Sequence, residues 1–480
     1  KLIGRDPALK QVYGQLKQGN PVHLHGQPGV GKTALAATLA SAYANQPGGV
    51  LWLTVEMPRL EELLVMVGRA YDVEEITGSD NPVALIGAVE NTLRQHKPLV
   101  VLDGRIDLDT TTRFVTRCAP NLPTMILNES KLDGPWAVME IPPLSIADAV
   151  NLFKLEARIT DANSDTDIGK IVSLLGNVPL GIVVAAKAML ASKQQPNAYA
   201  GVLEQVADAT NANGAVVAIA SSFRGLTTAL QGVLLLLGAT FHGSTSADLL
   251  SLISGAPADS IKQAMNIMSQ LKLVETTQRN NAPYYGLHPL THRFLQTWLR
   301  SSDRLTALQD KVRDSIIAYA EQNNEGDTES QAHLATEMDS FLATAHWANE
   351  EGQTEVVSKI VENLRKAGNF VSAKGYTYEM LMLRNLETGS TSAFPGHPEP
   401  EMPVTSPPVT EALPEDLPTP EELLDSYDDD EEISEELKPI TSPVLDDINL
   451  ETTDLGQLRN MLAQLKQAGD LPRQADVLKT

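Results

Sequence analysis

Gly26-Gln27-Pro28-Gly29-Val30-Gly31-Lys32-Thr33 places three glycines, a lysine and a hydroxyl at the Gly-x-x-x-x-Gly-Lys-Ser/Thr spacing. Before it lies the apolar run 21–25. After it, Leu35, Leu39 and Ala42 recur at helical spacing. Glycines let consecutive N–H groups curl around anionic oxygens, and the following helix adds its positive end. A lysine there reaches the β and γ phosphates, and the hydroxyl binds magnesium. The spacing therefore predicts a strand–loop–helix unit that holds ATP or ADP with Mg2+, lined by Gly26, Gly29, Val30, Gly31, Lys32, Thr33 and Ala34.

Apolar runs at 21–25, 49–55, 98–102 and 123–128 alternate with amphipathic stretches. Short buried runs of this kind predict a parallel sheet with helices on both faces, a three-layer α/β domain over 1–145. A phosphate loop needs a carboxylate on a neighbouring strand to hold the metal's water shell, and Asp103 follows the run Leu99-Val100-Val101-Leu102. Asp103 and Thr33 are the expected metal side, and Lys32 and Asp103 the expected catalytic pair. Gly104 stands where many ATPases carry an acid that activates water, which predicts slow hydrolysis. Asp107 and Asp109 could substitute, although loop acids of this kind are more often solvated.

Beyond 145 the pattern is helical. Ala147, Val150, Leu152, Phe153 and Leu155, then Ile168, Ile171, Val172 and Leu175, predict a helical domain over 146–208. Helices followed by a turn at Arg279-Asn280-Asn281, flanked by Leu273, Val274 and Tyr284 to Leu287, predict a winged helix over 209–300. Further helices fill 301–388, with Leu305, Leu308, Val312, Ile316, Ile317 and Tyr319 on one stripe and Phe341, Ala345, Trp347 and Ala348 on another. The overall expectation is a multidomain α/β plus α chain.

The charge is concentrated near the end. The 66 residues from Gly389 to Asp454 hold nineteen acids, eleven prolines and the single base Lys438, out of a whole-chain charge of -24. Such a stretch buries too little surface to offset its ordering entropy, so 389–452 reads as a disordered linker. Leu455, Leu458, Met461, Leu462 and Leu465 then predict a helix, and 453–480 reads as the start of a TPR-like repeat. The acidic balance argues against nucleic acid and anionic membranes as general partners. Cys118 is the only cysteine, which excludes disulfides within the chain and cysteine zinc sites and fits a reducing, cytoplasmic setting. No run has signal-peptide or membrane-span character. The chain starts with Lys, and motifs begin almost at once, which predicts a missing upstream segment.

With these motifs in order, residues 1 to 300 resemble an NB-ARC ATPase of the STAND class, signal-transduction ATPases with numerous domains. Leu2-Ile3-Gly4-Arg5-Asp6 resembles the class's opening motif, and Ile141-Pro142-Pro143-Leu144-Ser145 the start of its first helical domain. Gly176-Asn177-Val178-Pro179-Leu180 resembles its Gly-x-x-Pro-Leu motif, and Leu287-His288-Pro289 stands at its Met-His-Asp motif. The resemblance implies Arg5 and Pro179 beside the nucleoside and His288 at the β phosphate of ADP. It further implies a switch that ADP holds closed and that a protein or other ligand, sensed by the C-terminal helices, opens for nucleotide exchange. The open form would assemble into a homo-oligomer and activate an upstream effector.

Two departures stand out. Asn128-Glu129-Ser130 replaces a segment whose arginine senses the γ phosphate, leaving Lys131 or Arg105 as substitutes, and Pro289 replaces the acid of the histidine motif. Two other function classes share the phosphate loop: an ATP-controlled DNA-binding regulator and a turnover NTPase. The segment 244–272 has only Lys262 and Lys272 as bases, which weighs against the first. His23 and His25 read as structural, and His288 with His292 lacks a third metal ligand.

Overall fold

The computed structural model describes residues 2–389 except 47, 79–81, 162, 211–213 and 281. The expected linker 389–452 lies outside the described residues apart from Gly389, and the expected repeat 453–480 wholly outside them. The chain divides into two compact units. The described part of the first comprises 2–148, 324–327 and 361–389; the second comprises 149–323 and 328–360.

The first unit is built on five strands: β1 (Val22–His25), β2 (Val50–Glu56), β3 (Leu99–Arg105), β4 (Thr124–Asn128) and β5 (Ala137–Glu140). Every pairing is parallel, in the order β2-β3-β4-β1-β5. The four runs read from the sequence are strands β1 to β4. The fifth, β5, is a short edge strand whose residues alternate between half-buried and exposed, so its sequence carries no apolar run.

Alternation along β3 sends successive side chains to opposite faces of the sheet. Leu99 and Val101 pack with Val12 and Leu16 of α1 (Asp6–Lys17) and with Leu35, Leu39 and Tyr43 of α2 (Lys32–Tyr43). Val100 and Leu102 pack with Leu63, Leu64 and Val67 of α3 (Leu60–Ala70). The same face holds α4 (Glu74–Thr77), α5 (Pro82–His96) and a π-helical turn over Phe114–Cys118, which continues α6 (Leu108–Arg113). Cys118 is buried there, and desolvation pushes its thiol up to about 12, so it is an inert packing group.

The second unit is largely helical: α7 (Ile146–Glu156), whose start belongs to the first unit, α8 (Asp165–Leu174), α9 (Pro179–Ala191), α10 (Pro196–Thr210) and α11 (Ala215–Arg224). In α7 the buried side chains are Ala149 and Phe153, one turn apart. Leu155, expected on the same stripe, is 63% exposed. After α12 (Thr228–Ala239) come β6 (Ser244–Ser246), α13 (Ala247–Ser254), α14 (Ala258–Gln270), β7 (Glu275–Arg279) and β8 (Ala282–Gly286). The strands form an antiparallel sheet in the order β6-β8-β7, which with the three helices is a winged helix. Next come α15 (Pro289–Ser301), α16 (Leu305–Gln322), α17 (Thr328–Thr336) and α18 (Met338–Glu350). The helix α19 (Thr354–Lys366) leads back into the first unit, which α20 (Phe370–Ala373) and α21 (Thr377–Thr388) complete. Among the described residues no helix is long and apolar enough to cross a membrane.

Candidate functional site

Parallel pairing brings the C-terminal ends of all five strands to one edge of the sheet, where ligands of open α/β sheets bind. There the loop 26–31 joins β1 to α2. Gly26, Gly29 and Gly31 have φ of 147°, 78° and 97°. Gly31 is the N-cap of α2, left-handed and without a side chain, so no capping group of its own covers the first-turn N–H groups. Uncovered N–H groups at a helix N-terminus are of the kind that accept an anion.

Lys32 opens α2 and folds its ammonium back over the loop, donating to the Gly26 carbonyl at 2.7 Å and the Gln27 carbonyl at 3.3 Å. Two carbonyl oxygens thus hold the ammonium at the mouth of the cradle. Burial lowers the Lys32 pKa, opposed first by the negative charge of Glu129 and then by that of Asp103. Thr33 donates its hydroxyl to Asp103 Oδ1 at 3.2 Å. Desolvation raises the Asp103 pKa, opposed by Thr33, Lys32 and a hydrogen bond from the Trp52 side chain. Val30 is fully buried, and its carbonyl accepts from Arg5 Nη2 at 2.9 Å. Arg5 is itself buried, with its pKa lowered by desolvation and partly restored by Asp148, so it braces the loop from behind. Ala34 lies in the first turn of α2, where its carbonyl accepts from Thr38.

Asp103 and Gly104 both lie inside β3 rather than after it. Gly104 pairs with Val55, has φ 135°, and an added Cβ would stand 2.0 Å from the Val55 carbonyl oxygen. The absence of an acid at this position is therefore imposed by the sheet. The expected substitutes for it are engaged elsewhere. Asp107 caps α6 by accepting from the Thr110 N–H at 2.9 Å, and Asp109 pairs with Arg113 at 3.6 Å. Of the two cations considered for the γ phosphate, Arg105 pairs with Glu56 at 2.9 Å and Lys131 with Asp133 at 2.7 Å.

His23 is fully buried in β1. Its Nε2 lies 3.0 Å from the Leu132 nitrogen and 3.2 Å from the Ser130 carbonyl, and its Nδ1 3.3 Å from the Ile126 carbonyl. It is a structural residue that fastens the chain after β4.

Pro179 and His288 belong to the second unit. Pro179 is the first residue of α9, where its missing N–H is no loss. His288 caps α15, its Nδ1 accepting from the Leu290 N–H at 3.1 Å, which puts the proton of the neutral ring on Nε2. His292 contacts the Thr240 carbonyl and the Gln296 amide through Nε2, each at 3.1 Å.

Sequence reasoning missed Trp52 and Glu129. The first has no motif. The second had a signal: it directly follows the apolar run that forms the strand beside β1. Among the described residues no group of three or more His, Cys, Asp or Glu side chains could cage a metal. A metal at Thr33 and Asp103 would take its remaining ligands from phosphate and water, which is how Mg2+ is ordinarily held.

No protein-family model matches the sequence, and no curated protein does. Among solved structures the fold is similar to that of a Signal Transduction ATPase with Numerous Domains (STAND) protein with a tetratricopeptide repeat sensor from Pyrococcus horikoshii. The TM-score is 0.52 at 12% identity, and the match covers 78% of this chain and 52% of that one. The chain thus spans about half the length of that structure. The likeness establishes a shared multidomain fold.

Proposed function

We propose that the chain is a nucleotide-dependent signalling switch of the STAND kind. It binds ATP or ADP with Mg2+ at the loop 26–33 and hydrolyses ATP slowly. The single observation that carries this reading is the Thr33–Asp103 hydrogen bond at 3.2 Å beside the Lys32 ammonium. The adjacent Lys32 and Thr33 meet Asp103, seventy residues further along the chain, where a phosphate-bound Mg2+ would need a countercharge, a hydroxyl and a carboxylate. Lys32 would hold the β and γ phosphates, the N–H groups of 29–34 would surround the β phosphate, and Thr33 and Asp103 would hold the metal and its water. The bound metal would supply neutralisation of phosphate charge.

Slow hydrolysis follows from Gly104, which offers no base and whose surroundings exclude a side chain. In this reading ADP holds the closed form, with Pro179 on the nucleoside side and the Nε2–H of His288 donating to a phosphate. A switch requires the two nucleotides to differ in affinity for the closed and open forms, since equal affinity shifts nothing. Ligand sensing by the C-terminal helices would permit exchange, homo-oligomer assembly and activation of an upstream effector. A DNA-binding reading lacks comparable support: on α14, the helix preceding the wing, Lys262 lies 3.8 Å from Asp259.

The test is the nucleotide content of the purified chain and its unfolding with added Mg·ADP or Mg·ATP. The expected result is retained ADP and a stabilisation of about 2.7 kcal/mol at a hundredfold excess over Kd. A chain that carries no nucleotide and unfolds identically with and without it contradicts the proposal.

A further inference from the structure

Position 104, directly after Asp103, is kept free of a side chain by the Val55 carbonyl, so a carboxylate that serves water has to come from another strand. The sheet register supplies one: β2 and β3 pair Thr54 with Asp103 and Glu56 with Arg105. Residues two apart on a strand share a face. Val50 and Trp52 of β2 pack against the cluster that holds Leu99, Val101 and Leu35 of α2, so Glu56 and Asp103 both stand on the face that carries the phosphate-loop helix. Glu56 is the last residue of β2, one strand across from Asp103 and two residues further toward the edge where the loop lies. Strand spacing and rise put the two Cα atoms about 8 Å apart, within reach of a glutamate side chain. Two contacts fix Glu56 there. Arg105 Nη1 donates to its Oε1 at 2.9 Å, and the Met57 N–H donates to the Arg105 carbonyl at 2.7 Å, with Met57 held at a left-handed φ of 50° that few non-glycine residues adopt. The side chains of the ion pair are 69% exposed at Glu56 and 57% at Arg105, so the pair orients the carboxylate while leaving it open to water.

Resting on the reading that the loop 26–33 binds ATP, we propose that Glu56 is a catalytic residue that accepts the proton of the attacking water, a role that the residue after Asp103 cannot fill. In that step a lone pair of the water oxygen forms the new bond to the γ phosphorus. The bond from that phosphorus to the oxygen bridging to the β phosphate breaks, and its electron pair leaves on ADP. The water proton passes to the Glu56 carboxylate and from there to solvent. Arg105 is a positioning residue that holds Glu56 at the sheet edge. A base held by an exposed ion pair is less preorganised than one fixed beside the metal, which agrees with slow hydrolysis.

The experiment uses the full chain and follows single-turnover hydrolysis of bound Mg·ATP, which separates the chemical step from product release, together with the affinity for Mg·ATP and the unfolding temperature. The proteins are the wild type, Glu56→Gln, Glu56→Asp and Arg105→Gln. The expected result is a fall in the hydrolysis rate of about a hundredfold in Glu56→Gln and smaller falls in Glu56→Asp and Arg105→Gln, which keep a carboxylate on β2. Affinity and unfolding temperature are expected near the wild-type values in all four proteins. A Glu56→Gln rate within about threefold of wild type overturns the inference while leaving nucleotide binding intact, and so does a wild type that binds ATP without hydrolysing it. Equal losses in Glu56→Gln and Arg105→Gln also overturn it, because the tie between the strands would then matter and not the carboxylate. A wild type that binds no nucleotide overturns the nucleotide reading and this inference together.

Discussion

Asp103 in the first unit and Glu337 in the second are both carboxylates whose pKa burial raises, and they are built into their surroundings in opposite ways. Glu337 is fully buried at the start of α18. It accepts from the Thr245 hydroxyl at 3.0 Å, the Ser246 N–H at 2.6 Å and the Ser340 hydroxyl at 2.5 Å, so it ties that helix to β6 and α13. Every donor in that set is part of the local scaffold. Asp103 instead accepts from Trp52 and from Thr33, which itself belongs to the phosphate loop, and it faces the Lys32 ammonium. A carboxylate saturated by scaffold donors works as a structural clamp. One held by groups that are themselves ligand-binding can exchange them for a metal's water shell.

The largest effect of a substitution belongs to the strand that carries Asp103. In Gly104→Ala the new Cβ would meet the Val55 carbonyl at 2.0 Å at a φ few side chains adopt. The expected destabilisation is about 4 kcal/mol or more in denaturant unfolding, and Gly104→Glu is expected to unfold rather than gain hydrolysis. Next comes Glu337→Ala, which strands three buried donors and should lose about 3 kcal/mol, with Glu337→Gln losing less because it keeps one acceptor oxygen. Asp103→Asn is expected to move the other quantity. Mg2+-dependent nucleotide affinity should fall about a hundredfold in calorimetric titration, while unfolding stability stays within about 0.5 kcal/mol of wild type. If Asp103→Asn unfolds the chain as Glu337→Ala does, the distinction between clamp and exchangeable site is lost.

A smaller effect tests how the first unit holds its C-terminal helices. Arg69 of α3 pairs with Glu379 of α21 and lies 4.3 Å over the Tyr376 ring. In the same cluster the Glu62 pKa is pushed up to about 7, chiefly by burial and also by the charges of Glu379 and Glu61, against the Arg59 N–H and the Arg59 charge. The folded pKa lies above the unfolded one, so the folded state binds the extra proton. Glu62 therefore contributes its full stability below about pH 4.5, and this is lost as pH rises through 7. Between pH 5 and 8 the wild type should lose about 2 kcal/mol relative to Glu62→Gln, read from paired unfolding curves.

Much of the α/β unit was legible because strong apolar runs mark β1 to β4, and the glycine and lysine spacing marks the loop. The edge strand β5 was not, since edge strands need no apolar run and Ala137 to Glu140 are only partly buried. Ser244-Thr245-Ser246 has no apolar run to mark it and forms β6 because Tyr284 and Tyr285 of β8 supply the pairing partner. Glu337 carries no sequence signal, because its donors lie about ninety residues upstream as well as on its own helix. Glu129 registered as a missing arginine rather than as a charge beside Lys32. The crowding that fixes Gly104 exists only once β2 and β3 are in register. What the sequence withheld was in each case a contact between distant residues with no local pattern to announce it.

Nucleotide binding by the loop 26–33 is tested by a calorimetric titration of ADP into the wild-type chain and into Lys32→Ala, with and without Mg2+. The expected result is saturable binding to the wild type, strengthened by Mg2+ and weakened at least about a hundredfold by Lys32→Ala, with the variant unfolding at the wild-type temperature. Equal binding to both proteins, or no heat from either, would contradict it.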